Sequence, residues 1–574
     1  MADWADATTL SHAWVRAVAN RRDNTFLVFE RPDGVVESWT YGEFDSVVDR
    51  VAQFLVTRGV RAGSSVHVAL TNSPTFVATW LATLSLRAWL VPSDPMGTSA
   101  ELRVHINRTS PIIGLCSDAR SETYRSAAEG STVATIVEID EADCSLDAFG
   151  KGSLVVFGSG SLDHRPIPEL RDRAAVLFTS GTTGAPKGVE ITQANYAFAG
   201  ASMAAAASLG PDDRQLVVLP LFHANAQYYS FASAIWVGAS VALMPTFSAS
   251  GFLAQAARHR VTHASLFAAP IRMILARGVT PVDGVALTHC WYAMNISDEQ
   301  HELLSSRLGC RPRQLYGMTE TIPAVLTDSA DGPVPSSMGF VTAGCEVEIH
   351  DAGGERTSPG TVGEIVVRGT PGITLFAGYL DDPSTTDASF RNGWFLTGDR
   401  ARGDADGRFF FDGRRSDVLK VAGENVSTVE VEQVLSSHPG VLEAAVVGQP
   451  DDVRDEVPVG FVVLAHVANP PSVEDLHAWC VDRLTKAKRP RDITFVDELP
   501  RTSVGKIRKF LLRDPHAETA PLATPVPPPP RSPRHDSPHL RTPRILRCLC
   551  HGFRQCTYDA ARDLYLGGVP GVRA

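Results

Sequence analysis

The stretch Leu177 to Gly188, reading LFTSGTTGAPKG, constrains this chain more than any other. Thr179, Ser180, Thr182 and Thr183 supply hydroxyls, Gly181 and Gly184 supply backbone freedom, and Lys187 supplies one positive charge. The apolar run 174–178 precedes them and reads as a buried strand. Glycine permits the backbone angles of a concave loop, so several N–H groups and hydroxyls can face one anion. The chemistry this favours is a grip on a polyphosphate. A Walker loop needs Lys followed by Ser or Thr, whose hydroxyl meets magnesium; here Gly188 follows Lys187. Gly158-Ser159-Gly160 resembles the start of a dinucleotide fingerprint, but Asp163 stands where the third glycine belongs. A plain Ser/Gly surface loop is the remaining alternative, and the length of the stretch counts against it.

A chain of 574 residues predicts two or three domains. Its formal charge of −11 argues against a general nucleic-acid binder. Nine cysteines scattered over such a length read as thiols, not as a disulfide framework. The opening residues show no basic segment followed by an apolar one, so a cytoplasmic protein is expected. The longest uncharged run, 228–245, is interrupted by Ser230, Ser233, Gly238 and Ser240; it reads as a buried helix and strand, not as a membrane span.

Along the chain, strands and helices alternate. Residues 24–29 read as a strand, and Thr40 with Glu43 forms a capping box. The helix after it carries Phe44, Val47, Val48, Val51 and Leu55 on one face and ends near Gly59. A strand over 66–70 and a helix over 73–87 follow, then a helix over 192–209. Residues 217–223 read as a strand ending in a turn at His223. This pattern predicts α/β units on a largely parallel sheet. His259 and His263 stand four apart, but no Glu follows His259, so a zinc-protease motif is excluded. From 417 to about 514 a smaller α+β pattern appears, with a helix over 429–438 and strands over 444–447 and 460–464. Beyond His516 the Pro/Arg-rich composition predicts a disordered or polyproline-like tail, and Cys548, Cys550, His551 and Cys556 fit no standard zinc spacing.

The opening stretch resembles the phosphate-binding signature of the adenylate-forming superfamily of acyl-CoA synthetases, peptide-synthetase adenylation domains and luciferases. Further blocks resemble that superfamily in its order: Tyr316-Gly317-Met318-Thr319-Glu320, Gly363 to Val367, Gly378-Tyr379, Trp394 to Asp399, Gly413 to Lys420, and Pro500 to Lys506. Tyr316 to Ile322 and Gly423 to Ser427 look most like the crotonobetaine/carnitine-CoA ligase type. The resemblance covers about residues 10 to 514. It implies a large N-terminal domain over 1–412 built from αβ-layered sheets with a distorted barrel, a hinge at 413–416, a small mobile α+β domain over 417–515, and a tail over 516–574.

It also implies roles. The opening loop and Lys187 would hold the β- and γ-phosphates of ATP. Glu320 would hold Mg2+, Thr319 the α-phosphate, and Tyr316 and Gly317 the adenine side together with Met294 and Asn295. Asp399 and Arg414 would take the ribose. His223 would stand between the acyl group and the thiol. Gly423 and Glu424 would line the path of coenzyme A, with Ala422 replacing a frequent glycine. Lys506 would meet the charge that builds during adenylation. The implied partners are a carboxylic acid or its acyl-adenylate and CoA, without nucleic acid or membrane span, and with homodimerisation left open. Two departures stand out: Ser416 at the hinge, and Tyr292, Met294 and Asn295 in an adenine-side loop that is usually Gly/Ala-rich. Besides an AMP-forming acid–thiol ligase, two alternatives therefore stay open. One is a homologue that only thioesterifies a preformed acyl-adenylate; the other loads a separate carrier protein, since Gly567-Gly568 is followed by Val and Pro and no fused carrier motif appears.

Overall fold

The computed structural model describes residues 9–141, 165–179, 186–276, 282–293, 296, 298–330, 332–414, 418–421, 424–451, 454–465, 469–501 and 507–513. The chain divides into two units, Met1–Glu518 and Thr519–Ala574. The second unit, and with it nearly all of the expected tail, lies outside the described residues.

The first unit is built on two large sheets. The parallel centre of a nine-stranded sheet runs Arg313–Tyr316, His289–Ala293, His263–Phe267, Arg214–Val217, Ser240–Leu243, Thr25–Glu30. A seven-stranded sheet has Arg173–Thr179, Trp89–Pro92, Ser65–Ala69, Ile113–Ser117 and Thr135–Ile139 in parallel, and Lys187–Thr192 and Gly378–Tyr379 added antiparallel at one side. Two helices, Pro74–Ser85 and Gln193–Ala207, are buried around almost their whole circumference. Their side chains share one core with residues of both sheets, as expected for a helix layer covered on two sides. Gly200 allows that layer to close: a Cβ there would lie 2.5 Å from the Ala232 carbonyl of the π-helix Asn225–Ala232. The uncharged run over 228–245 is this π-helix, the helix Ser233–Val237 and the buried strand Ser240–Leu243. Among the described residues no helix is long and apolar enough to cross a membrane.

Several local expectations hold. Thr40 caps the helix Tyr41–Thr57 with the reciprocal Glu43 bond, and the five apolar residues of its predicted face are buried. The strand expected over 217–223 is placed differently: pairing covers Arg214–Val217 and stops there. Asn72 takes over the backbone that follows, donating to the Leu219 carbonyl at 3.0 Å and accepting from the Leu221 N–H at 2.8 Å. Pro220, which has no N–H, stands between the two.

A five-stranded antiparallel sheet follows, of Glu346–His350, Val362–Arg368, Trp394–Gly403 and Phe390–Arg391, with Phe409–Arg414 on Trp394–Gly403. The last sheet holds Glu424–Ser427, Val418–Val421, Asp455–Leu464, Val441–Asp451 and Asp492–Phe495, with its own core around Val446, Val462 and Leu476. The helices Thr428–Ser436 and Val473–Val481 complete this α+β region.

Candidate active site

In open parallel sheets, side chains that act on ligands gather beyond the carboxyl ends of the strands. Here Thr179, Ala293 and Tyr316 each end a strand, and Met318 to Glu320 form the turn after Tyr316. Lys187 opens the returning strand of the hairpin and pairs with Thr179, so the loop between them is anchored at both roots. Ser180, Gly181, Thr182, Thr183 and Gly184 lie outside the described residues.

Asp399 is the best-defined member. It is buried, with 6% of its surface exposed, and its carboxylate accepts the Tyr316 hydroxyl at 2.7 Å and the Arg414 Nε at 3.0 Å. Sheet pairing explains the second contact, because Asp399 and Arg414 are register partners. A bulge follows Asp399, and Gly398 adopts φ +74°, which turns the backbone at this point. The Gly398 N–H donates to Glu364 Oε1 at 3.0 Å. Burial, then the negative charge of Asp399, pushes the Tyr316 hydroxyl well above its ordinary pKa, so it stays a donor. Gly317 next to it has no room for a side chain: a Cβ would lie 2.8 Å from Ala324 Cα and 3.1 Å from the Tyr229 hydroxyl oxygen.

A second cluster surrounds Glu320, which is 4% exposed. The Tyr379 hydroxyl donates to its Oε1 at 3.0 Å. Lys187 Nζ lies 4.8 Å from the centre of the Tyr379 ring, a cation–π contact. Burial, then Glu320, raises the Tyr379 pKa, so this hydroxyl too remains a donor. Among the described residues no group of three His, Cys, Asp or Glu side chains could hold a metal. Glu320, whose partner Tyr379 carries Lys187 over its ring, would suit Mg2+ that arrives with phosphates, since that ion keeps most of its ligands as water and phosphate oxygens.

The residues expected on the acyl side are less fully partnered. His223 closes a turn with its N–H on the Pro220 carbonyl at 3.2 Å, and its ring lies 4.4 Å from that of Phe222. Asn225 of the π-helix donates to Ser265 at 3.0 Å, linking that helix to a strand end. The Asn225 Oδ1, Tyr228 hydroxyl and Trp291 Nε1 are buried without a hydrogen-bond partner among the described residues.

The adenine-side loop departs from expectation at one position. Tyr292 does not crowd it. Successive strand residues face opposite sides of a sheet, and Tyr292 points into the second core with Cys290, Leu304 and Leu308, its hydroxyl donating to the Pro335 carbonyl at 3.2 Å. Trp291 takes the other face, with Arg313 4.8 Å from its ring centre. Met294 and Asn295 lie outside the described residues.

In the α+β region, Glu424 pairs with Val421 in a hairpin; Gly423 and the hinge residue Ser416 lie outside the described residues. So does Lys506, although Arg501 and Ile507 on either side form a bridge. Arg501 pairs with Glu443, which also accepts from Arg272 of the large sheets' helix Ala268–Ala276 at 2.7 Å. The functional candidates that no expectation gave a role are Tyr379, Glu364 and Arg108. Tyr379 and Glu364 each carried a signal as part of a motif block, and Arg108 carried none.

The profile of the AMP-binding enzyme family matches residues 14–380, and that of the AMP-binding enzyme C-terminal domain matches 430–506. A crotonobetaine/carnitine–CoA ligase from Salmonella paratyphi A is 32% identical over 499 residues, covering 86% of this chain and 96% of the relative. ATP-bound MatB from Rhodopseudomonas palustris superposes with a TM-score of 0.79 at 25% identity, over 89% of this chain and 99% of that one. The o-succinylbenzoate CoA synthetase of Bacillus subtilis, in complex with its acyl-adenylate intermediate, gives 0.76 at 27% identity, over 88% and 98%. The chain belongs to the AMP-binding enzyme family, and within it to the acyl-CoA ligases.

Proposed function

We propose that this chain joins a carboxylic acid to coenzyme A in two steps at one site, using ATP with Mg2+ and releasing AMP. A carboxylate is a poor acyl donor because its oxide does not leave. Attack of the carboxylate oxygen on the α-phosphorus forms the acyl-adenylate and expels pyrophosphate. The thiol of CoA then attacks the acyl carbon and expels AMP, its proton passing to solvent.

The observation that carries this reading is the pair of clusters on Asp399 and on Glu320, set around one Tyr316-to-Glu320 turn. Asp399 would accept both ribose hydroxyls, with Arg414 beside them. Thr179, the loop after it and Lys187 would take the β- and γ-phosphates, and Thr319 the α-phosphate. Glu320 would hold Mg2+, which when bound neutralises phosphate charge. Lys506, on the small domain, would meet the charge that develops on the transferring phosphoryl group. We place the hinge at 413–416 and expect rotation about it to exchange Lys506 for the Gly423–Glu424 hairpin between the two steps.

The orphaned polar atoms of Asn225, Tyr228 and Trp291 favour an acid whose acyl part carries hydrogen-bonding groups, because buried polar atoms are rarely left unpaired. The names of the relatives favour CoA over a carrier protein as acceptor. The buried placement of Tyr292 removes one of three side chains that suggested a defective adenylation half. A panel of acids with ATP and CoA, reading AMP and thioester together, tests the proposal. Equal yields of both products with a polar acid support it; thioester formed only with a carrier protein would refute the choice of acceptor.

A further inference from the structure

Arg108 sits in the last turn of the helix Ser99–Thr109 and belongs to no motif block. Its guanidinium reaches past the helix end to two carbonyls on separate segments. Nη1 donates to Pro186 at 2.5 Å and Nη2 to Leu380 at 3.0 Å. Pro186 immediately precedes Lys187, and Leu380 immediately follows Tyr379. The Leu380 N–H also donates to the Gly188 carbonyl at 2.8 Å. One helical turn earlier, His105 stacks on Phe178 with ring centres 4.0 Å apart and planes 6° apart, and the Arg108 guanidinium lies 5.4 Å from the same ring. Phe178 precedes Thr179 and pairs with Gly188. One helix end thus holds both roots of the phosphate hairpin and the strand that carries Tyr379.

His105 is itself held. Its Nδ1 lies 2.7 Å from Ser93 Oγ, which lies 2.9 Å from His67 Nε2. Burial pushes His105 down to about 4, so near neutral pH its ring is uncharged and lies beside Arg108 without repulsion.

We infer that Arg108 is a positioning residue for the triphosphate: it fixes where Lys187 stands relative to Tyr379 and Glu320. Lysine is a point charge on a flexible stem, so its placement depends on the backbone at its root. A guanidinium bonds two carbonyls in one plane, which an ammonium cannot reproduce. Arg108 touches no reacting atom. The inference rests on the reading that Lys187 and its loop bind the β- and γ-phosphates. AMP lacks those groups and would depend on the ribose cluster, whereas Arg108 contacts Pro186, Leu380 and Phe178.

The test is calorimetric binding of a non-hydrolysable ATP analogue with Mg2+, and of AMP, to the full chain and to Arg108→Ala and Arg108→Lys. Loss of charged hydrogen bonds predicts about tenfold weaker analogue binding by Arg108→Ala, AMP affinity within about twofold, and partial recovery in Arg108→Lys. Equal weakening of both ligands would mean general damage and overturn the inference, as would no change in either. A wild-type chain that binds the analogue no better than AMP would remove the phosphate reading itself, and the inference with it.

Discussion

The proposed ribose end and the proposed phosphate end of this site differ in how far along the chain their parts are gathered. At the ribose end, Asp399 and Arg414 are neighbours because two adjacent antiparallel strands are in register, and Tyr316 joins them by one hydrogen bond. At the proposed phosphate end, Lys187 and Tyr379 stand on paired strands that are far apart in the chain, the Tyr379 hydroxyl and the Phe376 N–H hold Glu320, and Arg108 lies behind them. Asp399 and Arg414, at the first end, lie on neighbouring strands close in sequence. The second depends on long-range contacts, so it is the end that remote substitutions can detune.

The largest break in this comparison should come from the residue that serves only one step. Lys506→Ala should slow adenylation by roughly 10²- to 10³-fold, as loss of one preorganised electrostatic group does. Thioester formation from a supplied acyl-adenylate should be spared; equal loss in both half-reactions would contradict its role. Asp399→Ala should weaken AMP and the ATP analogue alike, by roughly 10- to 100-fold, since charge-assisted hydrogen bonds are lost. A selective effect on ATP alone would mean that the two ends are not separate. Tyr379→Phe should act at the phosphate end only, raising the Mg2+ needed for half-maximal adenylation by up to about tenfold through the lost support of Glu320. An unchanged Mg2+ requirement would argue against Glu320 as the metal's carboxylate.

The smallest effect concerns stability. Burial lowers His105 to about 4, below an unfolded value of about 6.5. As pH falls below about 6.5 the unfolded chain takes up this proton first. The contribution of the neutral ring is therefore complete above about 6.5 and is lost progressively as pH falls through about 4. Between those limits His105→Gln should flatten the fall of Tm with pH relative to the wild type. Parallel curves would show that the ring is not held neutral by its surroundings.

Much of this site was legible because its residues stand in contiguous blocks. Tyr316 to Glu320 and the phosphate stretch each combine a strand end, a glycine and a functional side chain within a few positions, and Trp394 to Asp399 sets Gly398 directly before Asp399. Local rules also carried the Thr40–Glu43 capping box and the buried face of its helix. What escaped depends on partners far away in sequence. The strand after Val217 ends because Asn72, on another sheet's loop, captures the backbone around Pro220. Arg108 reaches Pro186 and Leu380, which are 78 and 272 residues away, and no periodicity in its own helix announces that. Tyr292 is an intermediate case. Strand alternation puts it opposite His289 and Trp291, so its face was available once the strand's limits were known.

The central claim is that one site first activates an acid with ATP and then passes it to CoA. Acid-dependent exchange of labelled pyrophosphate into ATP, measured without CoA across a panel of polar acids, tests it most directly. The account predicts exchange with at least one acid, and that this acid's adenylate gives thioester when CoA is added. An acyl-adenylate that the chain converts to thioester, while its parent acid supports no exchange, would contradict the account and leave only the second half-reaction.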